Sequence, residues 1–532
     1  MANDEAMNLA DVFEAFVAAV PDRDAVVQGD RRVTWSAFDR RASGVASALL
    51  GAGLARGDRV ALYLYNSPEY LEAYVAALKV SLAPVNTNYR YRDDELLYLW
   101  DDADAAAVVF HGSFVDTVER IRGRLPKVRL WLWVDDGTGG CPSWARPYDD
   151  AAAEPPAPPP WPRSGDDLVF VYTGGTTGIP KGVMWSQHAL LGDGLGDADK
   201  IGAHVAARLE RSRAVTLPAA PLMHGTGAMG ALRGLLAGGT AVLLAGRRFD
   251  AHELWDAVAR ERVGTITVVG DAFARPLLDA LAAEPSRWDL SCLRAIVSAG
   301  AMFSEGVKGG LLEHLPEVTL TDQLGSSENA GAGFSRSGRD RLHPTGSFRP
   351  QPGVRVLDES WRDVEPGSGQ VGVIAIPGGA RGYHKDPAKS AATWPVIDGK
   401  RYTVAGDYAT VEADGTIRLL GRGSVCINTG GEKVFPEEVE EALKTHDAVR
   451  DAVVVGVPDE RFGQAIAAVV EVTNDTTDAE LVAHVKARLA GYKAPRYLVR
   501  VDSVGRAPNG KADYAGAREQ ALHHIHRAEV AT

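Results

Sequence analysis

The sequence has little cysteine, no excess of positive charge and no long apolar run, and each shortage excludes something. Its three cysteines, Cys141, Cys292 and Cys426, lie far apart in 532 residues. They cannot form a disulfide framework, so a reducing compartment is expected. Fifty-seven Lys and Arg against 70 Asp and Glu leave a formal charge of −13, which argues against a non-specific nucleic-acid binder or a partner for an anionic membrane. Any anionic ligand must then be held by a local cluster. Nowhere do the ~20 unbroken apolar residues of a membrane-spanning helix occur. The opening MANDEAMNLADVFEAF carries acids where a signal peptide needs a basic flank, so a cytoplasmic location is expected. No internal repeat is apparent.

What is present reads as globular. Hydrophobic residues make up 45% and charged residues 24%, and 57 glycines are spread over many loops. At ~150 residues per domain the length allows three or four units. Helical patterns such as WSAFDRRASGVASALLGAG (35–53) and SPEYLEAYVAALKVSL (67–82) alternate with β-rich runs such as RVALYLY (59–65) and AAVVF (106–110). This alternation predicts helices covering a largely parallel sheet. EPPAPPPWPR (154–163) can be neither helix nor central strand and predicts a stiff connector to a second such unit. There LVFVYTGG (168–175), AVLLAG (241–246), TITVVG (265–270) and RAIVSAG (294–300) each end a strand in small residues, where α/β sheets place their ligands. After about residue 345 shorter strands predict a β-rich subdomain, with Asp414-Gly415 as a hairpin turn. From 436 the pattern predicts a compact α+β unit. The fold class expected is α/β: two α/β sheet subdomains and a β-rich subdomain, with a small mobile α+β C-terminal domain.

Chemistry concentrates in five segments. In VYTGGTTGIPKGVMWS (171–186), Thr173, Gly174, Gly175, Thr176 and Thr177 combine bare N–H groups with hydroxyls, and Lys181 adds a point charge. That set suits phosphate oxygens. It is not a Walker A loop, because Pro180 stands where Gly-x4-Gly-Lys needs glycine. TDQLGSSENAG (321–331) sets Ser326 and Ser327 beside Glu328, either a Mg²⁺-and-phosphate corner or a helix N-cap with an acid in its first turn. Gly406-Asp407 offers a carboxylate to vicinal ribose hydroxyls, or simple turn chemistry. GRGSVCINTGGEKVFPEEVEEAL (421–443) joins Arg422 to a Gly430-Gly431 turn and a helix opened by Pro436, and APNGKADY (507–514) presents Lys511. A C-terminal lysine is ordinarily only a solvated charge. His523, His524 and His526 lack companion ligands and read as a solvated tail.

Together and in this order, these segments resemble the adenylate-forming superfamily of acyl-CoA synthetases, luciferases and peptide-synthetase adenylation domains, over nearly the whole chain. TGGTTGIPKGVMW, GDAFARPL and GRGSVCINTGGEKV look most like actinobacterial fatty-acyl and sterol side-chain CoA ligases. The resemblance implies an N-terminal AMP-binding domain (1–422), a hinge (423–425) and a mobile C-terminal domain (426–532). It implies ATP, Mg²⁺ and CoA, with a carboxylate converted to acyl-AMP and then to a thioester. ATP and AMP would meet Thr173 to Thr177, Lys181, Gly300, Ala301, Gln323, Leu324, Gly325, Ser326, Ser327, Asp407 and Arg422. Thr173 and Glu328 would hold the metal, Lys511 would serve adenylation with His224 and Glu328, and Gly430 and Gly431 would meet CoA. The acyl pocket would be lined by His224, Gly225, Ala228, Met229, Gly300, Leu324 and Gly325.

The pattern also departs from the family. Gly174 replaces a serine, Ser424-Val425 replaces the usual charged hinge, and Leu324 replaces the adenine-stacking tyrosine, leaving the base an aliphatic face. His224 stands where amino-acid-adenylating domains place an Asp, which disfavours an α-amino acid. Ala228 replaces a tryptophan gate, and the small residues Gly225, Gly227, Gly230, Ala299 and Gly300 predict a roomy pocket for a bulky hydrophobic acid. Two other readings stay open, an enzyme that performs only the adenylating half-reaction and a nucleotide-binding regulator or phosphohydrolase. The oligomeric state is open too, a homo-oligomer included.

Overall fold

The computed structural model describes residues 7–174, 180–190, 200–211, 214–429, 432–459, 462–473, 476–507 and 510–530. Its first helices begin where a polar side chain accepts a free first-turn amide. Asn8 caps Leu9–Ala19, Thr34 caps Trp35–Gly51, and Ser67 caps Pro68–Lys79 with proline just inside the start. The strand Ala105–His111 is buried at every position. It reads as a continuous apolar run because a parallel sheet covered on both faces offers no solvent side. Residues 154–163 form neither helix nor strand.

Three sheets organise the chain. The eight-stranded sheet runs in the order Gly382–Tyr383, β2 (Pro180–Ser186), β1 (Leu168–Gly174), Ala83–Asn86, Arg59–Tyr63, Ala105–His111, Leu130–Val134 and Arg146–Pro147. It is parallel from β1 onward, whereas β2 and the short strand beside it are antiparallel. The 15-stranded sheet opens on the antiparallel pair Arg31–Thr34 and Asp24–Gln28 and continues as a parallel layer that contains Val215–Pro218, Thr265–Val268, β3 (Ala295–Ala299) and β4 (Thr319–Leu324). Helix α1 (Gly225–Leu235) packs on this layer. Beyond β4 the pairing turns antiparallel and continues through Gly333–Ser337 and Ser347–Pro350 to the hairpin of β5 (Asp407–Val411) and β6 (Ile417–Arg422). The β-rich region therefore extends the second α/β sheet by hydrogen bonding, instead of forming a sheet of its own. A third, five-stranded sheet is built from residue 427 onward, with helix α2 (Pro436–Lys444) and the terminal helix Tyr514–Val530 packed on it.

The molecule is a large mixed α/β N-terminal region with a smaller α+β C-terminal one. The three cysteines are free, and among the described residues no helix is long and apolar enough to cross a membrane.

Candidate active site

The hairpin β1–β2 carries the first group of expected residues. Its register sets Thr173 opposite Lys181 and Gly174 opposite Pro180, so an expected hydroxyl and the expected lysine flank the tip from opposite strands. Gly175, Thr176 and Thr177 lie outside the described residues. Lys181 Nζ is 2.8 Å from Asp386 Oδ2 and 5.8 Å from the centre of the Tyr383 ring. Tyr383 is held there because its short strand pairs with β2, with Tyr383 opposite Val183.

The ends of β3 and β4 carry the second group, with Ala299 paired to Gln323. Gly300 leaves β3 at φ +87, a conformation that favours glycine, and a β-carbon there would lie 3.5 Å from Thr226 Oγ1 and 3.7 Å from Lys511 Cε. Ala301 packs against the core beneath. Gly325 turns so tightly that a β-carbon would stand 2.7 Å from the Ala330 backbone. Leu324, expected to offer adenine an aliphatic face, is only 7% exposed and packs with Ala332, Phe348 and Val356. Its side chain is largely covered by the β-rich core.

No helix follows Ser326 and Ser327, so the N-cap alternative for that segment does not hold. Ser326 Oγ instead accepts from the amides of Glu328 (3.2 Å) and Asn329 (3.3 Å), and Trp185 Nε1 donates to the Ser327 carbonyl at 2.8 Å. The Tyr383 hydroxyl donates to Glu328 Oε1 at 2.7 Å. The carboxylate and the ring over Lys181 are thus tied into one unit. Among the described residues no group of three His, Cys, Asp or Glu could hold a metal. A Mg²⁺ bound with a nucleotide needs only one or two protein carboxylates, and Glu328, oriented by Tyr383 through one oxygen, fits that need.

The third group lies on the β5–β6 hairpin. Asp407 and Arg422 are register partners, and Arg422 Nε donates to Asp407 Oδ1 at 3.0 Å. The Asp407 charge, with Glu328 adding to it, raises the Arg422 pKa. Lys511 is pushed the other way. Desolvation by the surrounding protein lowers its pKa most, Arg422 lowers it further, and Glu328 and Asp407 oppose. The Lys511 residue itself remains open to solvent. The C-terminal region is docked so as to deliver it. Lys444 Nζ lies 3.4 Å from Asp271 Oδ2, Arg450 3.1 Å from Asp279, and a β-carbon on Gly510 would press on Ala272 and Phe273.

His224 immediately precedes α1. Its Nε2 is buried with no hydrogen-bond partner among the described residues. Burial lowers its pKa to about 4, with Lys511 and Arg90 contributing, so the imidazole is neutral at neutral pH and lies in a positive field. On α1, Thr226 and Met229 are half-buried and Gly225 is exposed, whereas Ala228 is buried. Gly227 and Gly230 do not enlarge the pocket as expected. A β-carbon on Gly227 would strike the Pro221 carbonyl oxygen at 2.3 Å and one on Gly230 would meet Thr267 Oγ1 at 2.9 Å, so these glycines let the helix lie close on its neighbours. Gly430 and Gly431 lie outside the described residues. The strands before and after them, Ile427–Thr429 and Glu432–Val434, pair with Thr429 opposite Glu432.

Three residues of the site were not singled out from sequence: Tyr383, Asp386 and Arg90. The pair Tyr383 and Asp386 carries a weak signal in RGYHKDP, a glycine and an aromatic beside charges. Arg90 carries none, since an arginine on a loop is ordinarily solvated.

The model of the AMP-binding enzyme family matches residues 13–384, and that of the AMP-binding enzyme C-terminal domain matches 438–511. A Mycobacterium marinum protein named medium/long-chain-fatty-acid–CoA/3-oxocholest-4-en-26-oate–CoA ligase is 41% identical, over 97% of this chain and 96% of its own. A Rhodococcus rhodochrous 3-oxocholest-4-en-26-oate–CoA ligase is 40% identical with the same coverage. Among solved structures, the anthranilate CoA ligase AuaEII with anthranoyl-AMP superposes with a TM-score of 0.83 over 99% of both chains at 23% identity. The amide bond synthetase McbA from Marinactinospora thermotolerans gives 0.79 over 96% of this chain and 99% of its own at 26%. With both family domains matched along its length and relatives about 40% identical over nearly all of it, the chain belongs to the AMP-binding enzyme family, the adenylate-forming acyl-CoA synthetase superfamily, and is an ATP-dependent, AMP-forming ligase.

Proposed function

We propose that the protein is an acyl-CoA synthetase that activates a bulky hydrophobic carboxylic acid as acyl-AMP and then transfers the acyl group to CoA. The observation that carries this reading is the convergence of Lys511, Glu328, Asp407 and Arg422, whose charges act on one another, with His224 in the field of Lys511. An attacking carboxylate and an α-phosphate repel each other. Lys511 would lower that repulsion where charge develops, in a site walled from bulk water on the protein side. Asp407 and Arg422 would hold the ribose, Thr173 and Lys181 the phosphates, and Glu328 the Mg²⁺, whose chemistry when bound is to neutralise phosphate charge. A neutral His224 beside Lys511 and Arg90 suits an acid without a substrate ammonium. The relatives that act on fatty acids and on a sterol-derived acid support a large apolar acyl group.

Residues 423–425 are assigned as the hinge. The short 3-10 turn Gly423–Val425 joins β6 to the first strand of the C-terminal sheet, and rotation there would withdraw Lys511 and bring Gly430 and Gly431 to the CoA channel. Carboxylate-dependent ATP–pyrophosphate exchange, with Lys511→Ala as control, tests the first half-reaction, and unchanged exchange in that variant refutes the lysine assignment. The likeness to an amide bond synthetase keeps a second reading in view, adenylation with an acceptor other than CoA. CoA-dependent release of AMP separates the two, and release of ADP and phosphate in place of AMP and pyrophosphate would refute both.

A further inference from the structure

The segment GDAFARPL (270–277) opens the helix Gly270–Ala283, and its first residues touch both the nucleotide loop and the C-terminal region. Gly270 stands at φ +54, and a β-carbon there would lie 2.3 Å from the Met302 carbonyl oxygen. Glycine lets the two backbones lie this close. The Gly270 amide donates to Ser298 Oγ on β3 at 3.0 Å, and the Asp271 amide donates to the Met302 carbonyl at 3.0 Å. The start of the helix is thus stitched to β3 and to the loop that leaves it through Gly300 and Ala301, the residues expected at the nucleotide.

Asp271 completes the link with a side chain that is 8% exposed. Its Oδ1 accepts from the Ser304 amide at 2.9 Å, at the end of that loop. Its Oδ2 faces Lys444 Nζ at 3.4 Å, at the last residue of α2. One carboxylate therefore holds the nucleotide loop with one oxygen and the C-terminal region with the other. Gly510 is seated on the same segment, where a β-carbon would lie 2.9 Å from Ala272 Cβ, 2.9 Å from the Val269 carbonyl oxygen and 3.2 Å from the Phe273 ring. Lys511 follows Gly510 directly. Arg506, which pairs with Asp451, donates to the Gly510 carbonyl at 3.4 Å, and the charges of Arg506 and Asp451 act on Lys444. The ion pair and the backbone that carries Lys511 thus share one neighbourhood.

We propose that Asp271 is a positioning residue for adenylation: by tying the loop after Gly300 to Lys444 it fixes Lys511 at the reacting carboxylate in the first half-reaction, and it takes no part in the second. This rests on the acyl-CoA synthetase reading, in which the C-terminal domain leaves its seat on residues 269–273 before CoA reacts. Breaking the tie slows the step that needs Lys511 in place. It spares the step that follows once the seat is vacated.

The test uses the full chain as wild type, Asp271→Asn, Lys444→Met and the double variant, and measures two rates in each. One is decanoate-dependent pyrophosphate exchange, and the other is thioester formation from supplied decanoyl-AMP and CoA. Asparagine can still accept from the Ser304 amide, so Asp271→Asn removes chiefly the charge that Lys444 meets. Exchange is expected to fall roughly tenfold in kcat with the KM for ATP little changed, the size of a lost hydrogen bond between charged groups. Thioester formation proceeds at the wild-type rate. Lys444→Met gives the same split, and the double variant loses no more exchange than either single one, because each change breaks the same tie. Equal losses in the two half-reactions, or losses that multiply in the double variant, mark a merely structural contact and overturn the proposal. Unchanged exchange in both single variants overturns it as well. If the wild type forms no thioester from decanoyl-AMP, the CoA reading fails separately, and the exchange losses with their non-additivity still decide for or against Asp271.

Discussion

Replacing Tyr383 by Phe removes one hydroxyl and little else. The ring still has Trp394 at 5.0 Å, edge on, and still lies near Lys181, so packing is conserved and the change isolates the 2.7 Å bond to Glu328. Hydrogen bonds to charged groups contribute about 1.5–3 kcal/mol, and each ~1.4 kcal/mol is a factor of ten. Full loss would therefore cost about 10–100-fold. Glu328 is only partly buried, so water can replace the hydroxyl, and the lower end of about tenfold is expected. Because Tyr383 acts through Glu328, the cost is read in the metal requirement. The Mg²⁺ concentration that gives half-maximal pyrophosphate exchange at fixed ATP rises about tenfold, and added Mg²⁺ restores most of the rate. A melting temperature close to wild type checks that the fold is intact. If the Mg²⁺ requirement and the maximal rate are both unchanged, Tyr383 does not position Glu328 and the assignment of that carboxylate to the metal loses its support.

Three further outcomes are expected. Lys511→Ala abolishes measurable exchange, yet leaves thioester formation from supplied acyl-AMP, which stopped-time product analysis reads directly. Asp271→Asn leaves Lys444, whose side chain is 4% exposed, with Glu441 at 3.6 Å as its ion-pair partner among the described residues. Because a buried charge that loses one of its carboxylate partners is less well compensated, the docked arrangement weakens and cleavage near 423–425 in limited proteolysis becomes faster than in wild type. His224 has a folded-state pKa of about 4 against an ordinary 6.5. Between those values the unfolded chain binds more protons, so this residue's contribution is present above pH 6.5 and is lost as pH falls toward 4. The melting temperature of His224→Gln should accordingly drop less than that of wild type between pH 7 and pH 5, and an identical drop would refute the shift.

Local signals made the strands and helices legible. Asn8, Thr34 and Ser67 cap their helices from adjacent positions, and the hairpin at Asp414-Gly415 has Gly415 at φ +81, with Asp414 accepting from the Thr416 amide. The motif loops were legible for the same reason, since hydroxyls, glycines and a lysine within a few residues carry their chemistry in the order of the chain. The continuity of the β-rich strands with the second α/β sheet was not. It depends on pairing between Ser347–Pro350 and β6, strands about 70 residues apart.

What chain order alone determined is the inventory: which short segments can bind phosphate, ribose and metal, and that a net charge of −13 obliges them to act locally. The tertiary structure decided their use. It joined Tyr383 to Glu328, turned Leu324 into the β-rich core, and spent Gly227 and Gly230 on close helix packing. The physical reason is that a side chain's desolvation, partners and direction depend on neighbours brought from distant positions, and only the packed sheets supply those neighbours.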